Sequence, residues 1–298
     1  MTKKTSYLLG IAATIGIGTI LYYFLCCNCA TPNKPEVLIS KQVSTAVQSD
    51  FIIDGNNFSH KNKGSFDFKN SDFNTITPIN DSINYGIEKL KSFLIKNEQR
   101  ISITGYALAS EKNSSAFENL GMARANNVKN YFVSKGISSD LIDINGIVKE
   151  ELLEKEATIY GPISVSVAEV SAETPSIDWA GVKTKLNANP LILYFNTGQA
   201  SIDLSVSDRK KITEITRYLD NVDGAKLDVV GHTDNFGDAT KNTKLGLNRA
   251  NFAKNYLVNN GISIEKIAAS SQGPNQPIAD NATKQGKSKN RRVEVKIN

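Results

Sequence analysis

One acid and one base set the chemistry this chain could do. In Val229–Arg249, VVGHTDNFGDATKNTKLGLNR, Asp234 closes an apolar strand pattern. Arg249 stands fifteen positions on, near the expected start of an amphipathic helix. A Gly- and Asn-rich loop between strand end and helix start can turn both charges into one cleft. A carboxylate and a guanidinium held apart suit a zwitterion, the acid taking an ammonium and the planar fork a carboxylate. From the residues alone, the commoner role of such a pair is a salt bridge that closes the loop. His232-Thr233-Asp234 also has the H-x-D form of a metal site, but no third or fourth ligand stands at a metal-binding spacing. No G-x-S-x-G elbow, Cys–His pair at a known spacing, zinc motif or Walker loop occurs, so no catalytic residue, metal or cofactor is expected.

The elements that must position this pair occur twice. Ile87, Leu90 and Leu94 match Ile212, Ile215 and Leu219 at an offset of 125, each triplet spaced as one helical face. Ile101, Ile103 and Gly105 match Leu227, Val229 and Gly231, alternating as a half-buried strand does. Ala125, Val128 and Phe132 match Ala250, Ala253 and Leu257 on a second helix, which ends in Gly136-Ile137 and Gly261-Ile262 with glycine at the C′ position. Each unit therefore reads strand, helix, strand, helix, final strand. In the second these are Leu191–Phe195, Ser207–Leu219, Lys226–Gly231, a helix from about Thr243 to Asn259, and Arg292–Ile297. In the first, Gly64–Phe68 and Pro162–Ala168 are the expected outer strands. The fold class is α+β, a two-layer arrangement of tandem βαβαβ units, each a small mixed sheet covered by two helices. Val170–Pro175 reads as linker and Trp179–Leu186 as a lead-in helix, with Trp179 packing against the second unit rather than serving as a ligand platform.

Downstream of Arg249 come Gly273, a polar loop with Asn281 and Thr283, and Asn290-Arg291-Arg292-Val293-Glu294. With the Asp234 and Arg249 segment, this pattern resembles the OmpA-like peptidoglycan-binding family over Leu191–Asn298, about a third of the chain. The resemblance implies a non-enzymatic domain in which Asp234 and Arg249 hold the diaminopimelate side chain of the wall's stem peptide. It further implies that Thr233, Asn235 and the backbone around Gly237 shape the pocket, and that Asn196 and Thr197 lie in the loop facing the ligand. Family members often carry Asp where this chain has Asn196. Arg291 and Arg292 have two readings, contact with glycan or peptide carboxylate, or plain solvation at the mouth of a strand. In the first unit Gly105-Tyr106-Ala107-Leu108 stands where the second has Gly231-His232-Thr233-Asp234, so Leu108 replaces the acid although Arg124 answers to Arg249. Gly161-Pro162-Ile163 likewise replaces the Asn-Arg-Arg. Residues 49–170 are thus expected to be a degenerate copy kept for spacing, docking or contact with an envelope protein.

Tyr7–Cys27 is a run of 21 residues without a charge, and Lys3 and Lys4 precede it. At ~1.5 Å per residue such a helix is about as long as the ~30 Å hydrocarbon core is thick. The lysines leave the N-terminus in the cytoplasm and export the rest. The bulky Tyr22-Tyr23-Phe24-Leu25 before Cys26 argues against signal cleavage, and the residues before Cys26, Cys27 and Cys29 match a lipoprotein box poorly. The expected organisation is a cytoplasmic stretch 1–6, a membrane span 7–27, a spacer 28–48, the degenerate copy 49–170, a linker 171–185 and the binding domain 186–298. The bulk of the chain is placed in the periplasm, tethered to the inner rather than the outer membrane. Net charge of +5 over 298 residues is too mild to steer nucleic acid. A motor stator subunit of the MotB kind would need an acid within the span to couple ion flow, and Tyr7–Cys27 has none. An interaction module whose cleft is vestigial in both copies remains the alternative.

Overall fold

The computed structural model describes residues 14–20, 22, 49–55, 57–97, 99–168, 177–195 and 203–298. The chain forms two compact units, Met1–Val47 and Gln48–Asn298. In the first, residues 14–20 are helical and Ile15, Ile17 and Ile20 are exposed. The rest of the expected Tyr7–Cys27 span, apart from Tyr22, lies outside the described residues, as does Val170–Pro175. Among the described residues no helix is long and apolar enough to cross a membrane.

The second unit holds two core sheets. One contains β9 (Leu191–Tyr194), β10 (Leu227–His232), β11 (Ile267–Gly273) and β12 (Arg292–Ile297) in the order β11-β10-β12-β9. β10 runs parallel to β11, and β12 runs antiparallel to both β10 and β9. Two helices supply the apolar layer behind it. Helix α4 (Val206–Asn221) starts at a capping box in which Ser205 and Asp208 satisfy each other's amides, and it buries Ile212, Ile215 and Leu219. Helix α5 (Ala239–Asn259) starts at Asp238, whose side chain accepts from the Lys241 amide. That cap lies ahead of the expected start at Thr243, so Arg249 sits in the middle of α5, not near its beginning. Before them, α3 (Trp179–Ala188) packs its Trp179 ring edge-on against Tyr218 at 6.0 Å.

The other sheet contains β1 (Phe51–Gly55), β2 (Phe58–Asn62), β4 (Arg100–Leu108), β5 (Ile142–Lys149) and β8 (Ile163–Ala168) in the order β2-β1-β8-β4-β5. It is backed by α1 (Asp81–Asn97) and α2 (Leu120–Ser134). β5, β4 and β8 repeat the directions of β11, β10 and β12. Here the expectation of an outer strand at Gly64–Phe68 is wrong. The place beside β8 goes to β1, which runs parallel to it, whereas β9 runs antiparallel to β12. Phe66 and Phe68 are fully buried, so their apolar signal was real, but it marks chain that crosses the core. Only Phe68–Lys69 (β3) is strand, pairing with Thr158–Ile159 (β7) in a small separate sheet completed by Glu154–Lys155 (β6). β5 and β11 were also not anticipated. Each is a parallel edge strand, and IAASSQG in β11 carries too few large apolar side chains to show a period of two.

Both halves share one further device. A methyl group on Gly231 would lie 1.9 Å from the Gly246 carbonyl oxygen, and one on Gly105 would lie 2.1 Å from that of Gly121. Strand and second helix therefore touch backbone to backbone at a glycine pair. Three residues beyond each glycine stand Asp234 and Arg249 in one half, Leu108 and Arg124 in the other. The crossing sets the helix arginine over the strand end.

Candidate functional site

The site forms where β10 and β12 end side by side. Asn290, fully buried, organises this end: its Oδ1 accepts from the Ile278 and Ala279 amides, and its Nδ2 donates to the Ala279 carbonyl and Asn281 Oδ1. These bonds tie the polar loop to the start of β12 and so place Arg291 and Arg292. Part of that loop is helical, α6 (Lys284–Asn290), capped by Thr283 on the Gly286 amide.

Arg291, not Arg249, is the partner of Asp234. Arg291 Nη1 donates to Asp234 Oδ2 at 2.9 Å, with the two side chains 18% and 16% exposed. The other carboxylate oxygen accepts from the Phe236 amide at 3.1 Å, an Asx turn that starts the loop. A salt bridge of Asp234 with Arg249 is absent among the described residues, so that form of loop closure does not occur. Arg291 is half-buried and paired rather than simply solvated.

Arg249 is buried, and its Nη1 makes one long bond, 3.4 Å, to the His232 carbonyl. Its guanidinium lies over the Phe195 ring, 5.7 Å from the centroid. The Phe195 amide in turn donates to the Arg291 carbonyl, so ring, Arg249 and Arg291 converge. Burial lowers the pKa of Arg249, the like charge of Arg291 lowers it further, and Asp234 opposes both. Among the described residues no carboxylate pairs with it. Thr233 anchors the strand end through its amide, which donates to the Gly273 carbonyl, while its buried Oγ1 has no partner among the described residues. Asn235 is exposed, and the neighbouring Phe236 ring is 78% exposed beneath the Lys287 ammonium at 5.6 Å. Asn196 and Thr197 lie outside the described residues.

His232 and Arg292 belong to the opposite face. The charges that act on His232 are those of Arg292, Glu294 and Lys296, alternate residues of β12. Burial first, and then Arg292, push its pKa down to about 4, so the ring is neutral at pH 7. His232 and Asp234 therefore do not converge as an H-x-D metal pair. Of the six buried polar atoms without a partner among the described residues, four belong to His232, Thr233, Arg291 and Arg292 at this pair of strand ends. Such clustering is unusual for a purely structural region. A cavity of about 450 Å³ lies elsewhere, lined by Lys129, Asp220, Gly261 and Lys266 between the two halves.

The first half repeats the arginine but completes it internally. Arg124 Nη1 donates to the Tyr106 carbonyl at 3.0 Å, as Arg249 does to His232, and lies over Phe68 at 5.1 Å, as Arg249 does over Phe195. Arg124 is also gripped by Glu111 through both oxygens, at 2.5 and 3.0 Å, with both side chains fully buried. The Leu108 and Ser71 amides donate to the same carboxylate. Burial alone would raise the Glu111 pKa, but these hydrogen bonds outweigh it and hold the group below its ordinary value. Sequence reasoning missed Glu111. The available signal was Arg124 itself, a retained arginine in a copy whose aligned acid had become Leu108.

Comparison with known proteins adds an independent line. The sequence model of the OmpA family matches residues 72–161 and 194–291. Outer membrane protein A of Bordetella avium is 32% identical over 139 residues, 47% of this chain and 68% of that protein. The peptidoglycan-binding protein ArfA of Mycobacterium tuberculosis is 32% identical over 127 residues, 43% of this chain and 38% of that protein. The peptidoglycan-associated lipoprotein of Burkholderia pseudomallei, a solved structure, is 22% identical with a TM-score of 0.33, covering 36% of this chain and 89% of that one. The match spans about a quarter to two fifths of the length of the first curated relatives.

Proposed function

The chain belongs to the OmpA family, and from that premise we propose that it is a non-enzymatic anchor that binds peptidoglycan through Arg249 and Asp234. The ligand is the diaminopimelate side chain of the stem peptide. Its carboxylate sits on Arg249, Thr233, Asn235 and Arg291 line the pocket, and Asn196 and Thr197 are assigned to the same ligand. The observation that carries this reading is the state of Arg249, a buried guanidinium with one long bond to a carbonyl and no carboxylate partner among the described residues. Its counterpart Arg124, in the same frame of ring and strand-end carbonyl, has a carboxylate on it. An arginine left open in one half and filled in the other is what a receptor beside a retired receptor should look like.

Residues 49–170 are in this reading the retired copy, deprived of its acid by Leu108 and of its free guanidinium by Glu111, and 186–298 the binding domain. Tyr7–Cys27 tethers the chain to the inner membrane, so that the exported part links membrane and wall in the periplasm. The test is co-sedimentation of the full chain with peptidoglycan sacculi. Removing one partner of a desolvated charge pair costs ~2–5 kcal/mol, a factor of roughly 30 to several thousand. Arg249→Ala should therefore leave the protein in the supernatant with its fold intact. Arg249→Lys should fail almost as badly, because an ammonium cannot present two parallel donors. Pelleting of both variants like the parent chain would reject the assignment.

A further inference from the structure

Resting on the wall-binding reading above, we propose that Arg291 is the chain's own occupant of the ammonium position, so that the ligand is selected by its carboxylate. A zwitterion clamp would offer an open acid and an open base, but among the described residues only the base is open. One Asp234 oxygen holds the Phe236 amide at 3.1 Å and the other holds Arg291 at 2.9 Å. A ligand ammonium has to displace or share a guanidinium that is already bonded there and mostly shielded from water. A ligand carboxylate meets no such competitor at Arg249 among the described residues. Among the described residues, two buried polar atoms at these strand ends, Thr233 Oγ1 and Arg291 Nε, have no partner.

Charge points the same way. Arg249, Arg291 and Asp234 together carry one net positive charge, and Lys287 lies close by over Phe236. A zwitterionic side-chain terminus leaves that sum unchanged. Amidating its carboxyl would bring a bare cation into a cationic cleft, where partial burial weakens screening. Acetylating its amine would instead deliver an anion to a cationic site. The first half supplies an internal precedent. Glu111 supplies the equivalent arginine with a carboxylate, held also by the amide of Leu108, the residue aligned with Asp234, and among the described residues no ammonium pairs with that carboxylate.

The experiment measures binding of three soluble disaccharide-tripeptides to the full chain by calorimetry. One has a free diaminopimelate terminus, one has its carboxyl amidated, and one has its amine acetylated. Amidation should weaken binding by at least about tenfold and acetylation by less than about threefold, since only the first removes a charge-assisted bond to an open partner. In Arg291→Gln, Asp234 becomes free for the ammonium, so acetylation should become the costlier change. Equal losses for both modifications in the parent chain, or an unchanged order in Arg291→Gln, would overturn the inference while leaving wall binding in place. Failure of all three probes to bind would remove the wall-binding reading and the inference together. Should Arg291→Gln not fold, by far-UV circular dichroism, the parent chain's own ranking decides.

Discussion

Arg124 and Arg249 donate to equivalent strand-end carbonyls above the same kind of ring, but Arg124 also donates to the Asp72 and Lys69 carbonyls and has a carboxylate partner. That partner is Glu111, and a buried charge that loses its partner is costly, about 3–5 kcal/mol. Glu111→Ala should lower the stability of the protein to urea by about that amount. A loss within a few tenths of a kcal/mol would show that Arg124 finds water instead. His232 makes a second residue-scale prediction. Its pKa is about 4 in the fold against the ordinary 6.5, so between those values the unfolded chain binds a proton that the folded chain does not. Its contribution is complete above pH 6.5 and falls away as pH drops toward 4. Glu111, with its lowered pKa, adds a further loss below its ordinary 4.5. Stability measured in urea across this range should decline on acidification, and His232→Gln should flatten the part above pH 4.5. An unaltered slope in that variant would place the titrating group elsewhere.

At the scale of elements, the glycine crossing of β10 with α5 does the positioning. A Cβ at Gly231 cannot coexist with the Gly246 carbonyl at 1.9 Å, and neither backbone can yield without moving helix or strand. Gly231→Ala should cost about 1–3 kcal/mol as overpacking and, by lifting α5, withdraw Arg249 from the strand end. The expected result is a folded protein with a lower melting temperature that no longer pellets with sacculi. Undiminished pelleting would mean that the crossing serves packing alone. Asn290 does for the other wall of the site what the glycines do for this one, converting a polar loop into a fixed platform for Arg291.

At the scale of the molecule, the two halves are bonded to each other within one compact unit. Asn126 and Asn130 of α2 donate to the carbonyls of Asn260 and Gly261 just past α5, and Arg209 of α4 donates to the Ser115 carbonyl. Lys129, 2% exposed, pairs with Asp220 at 2.5 Å, and Asp220's carbonyl accepts from Ser139. Burial lowers the Lys129 pKa and Asp220 opposes that shift. The first half is thereby a brace on the second rather than a bead on a string. The single Trp179 reports on the second half, packed as it is against Tyr218. Its fluorescence and the far-UV signal should therefore unfold together in the parent chain. Asp220→Ala strands Lys129 and should separate the two transitions, at a cost of about 3–5 kcal/mol. Coincident transitions in that variant would show that the hydrogen bonds alone hold the halves.

Periodicity made the helices, the central strands and the doubling of the pattern legible, because each must show an apolar face of fixed spacing to its own sheet. It also made legible that Asp234 and Arg249 stand near the same strand end and that Leu108 breaks the pattern. Edge strands were read worst. β11 has one weakly apolar face, and β1 was masked by the apolar Phe66 and Phe68, whose burial needs no strand. The start of α5 is hidden in the sequence because its cap, Asp238, stands among loop-type residues. Partnership was not legible at all. Nothing in the spacing of Asp234, Arg249 and Arg291 says which guanidinium the carboxylate takes, nor that Glu111 reaches Arg124. Those choices depend on side chains brought together from strands, helices and loops up to 57 residues apart, and only tertiary packing sets their distances.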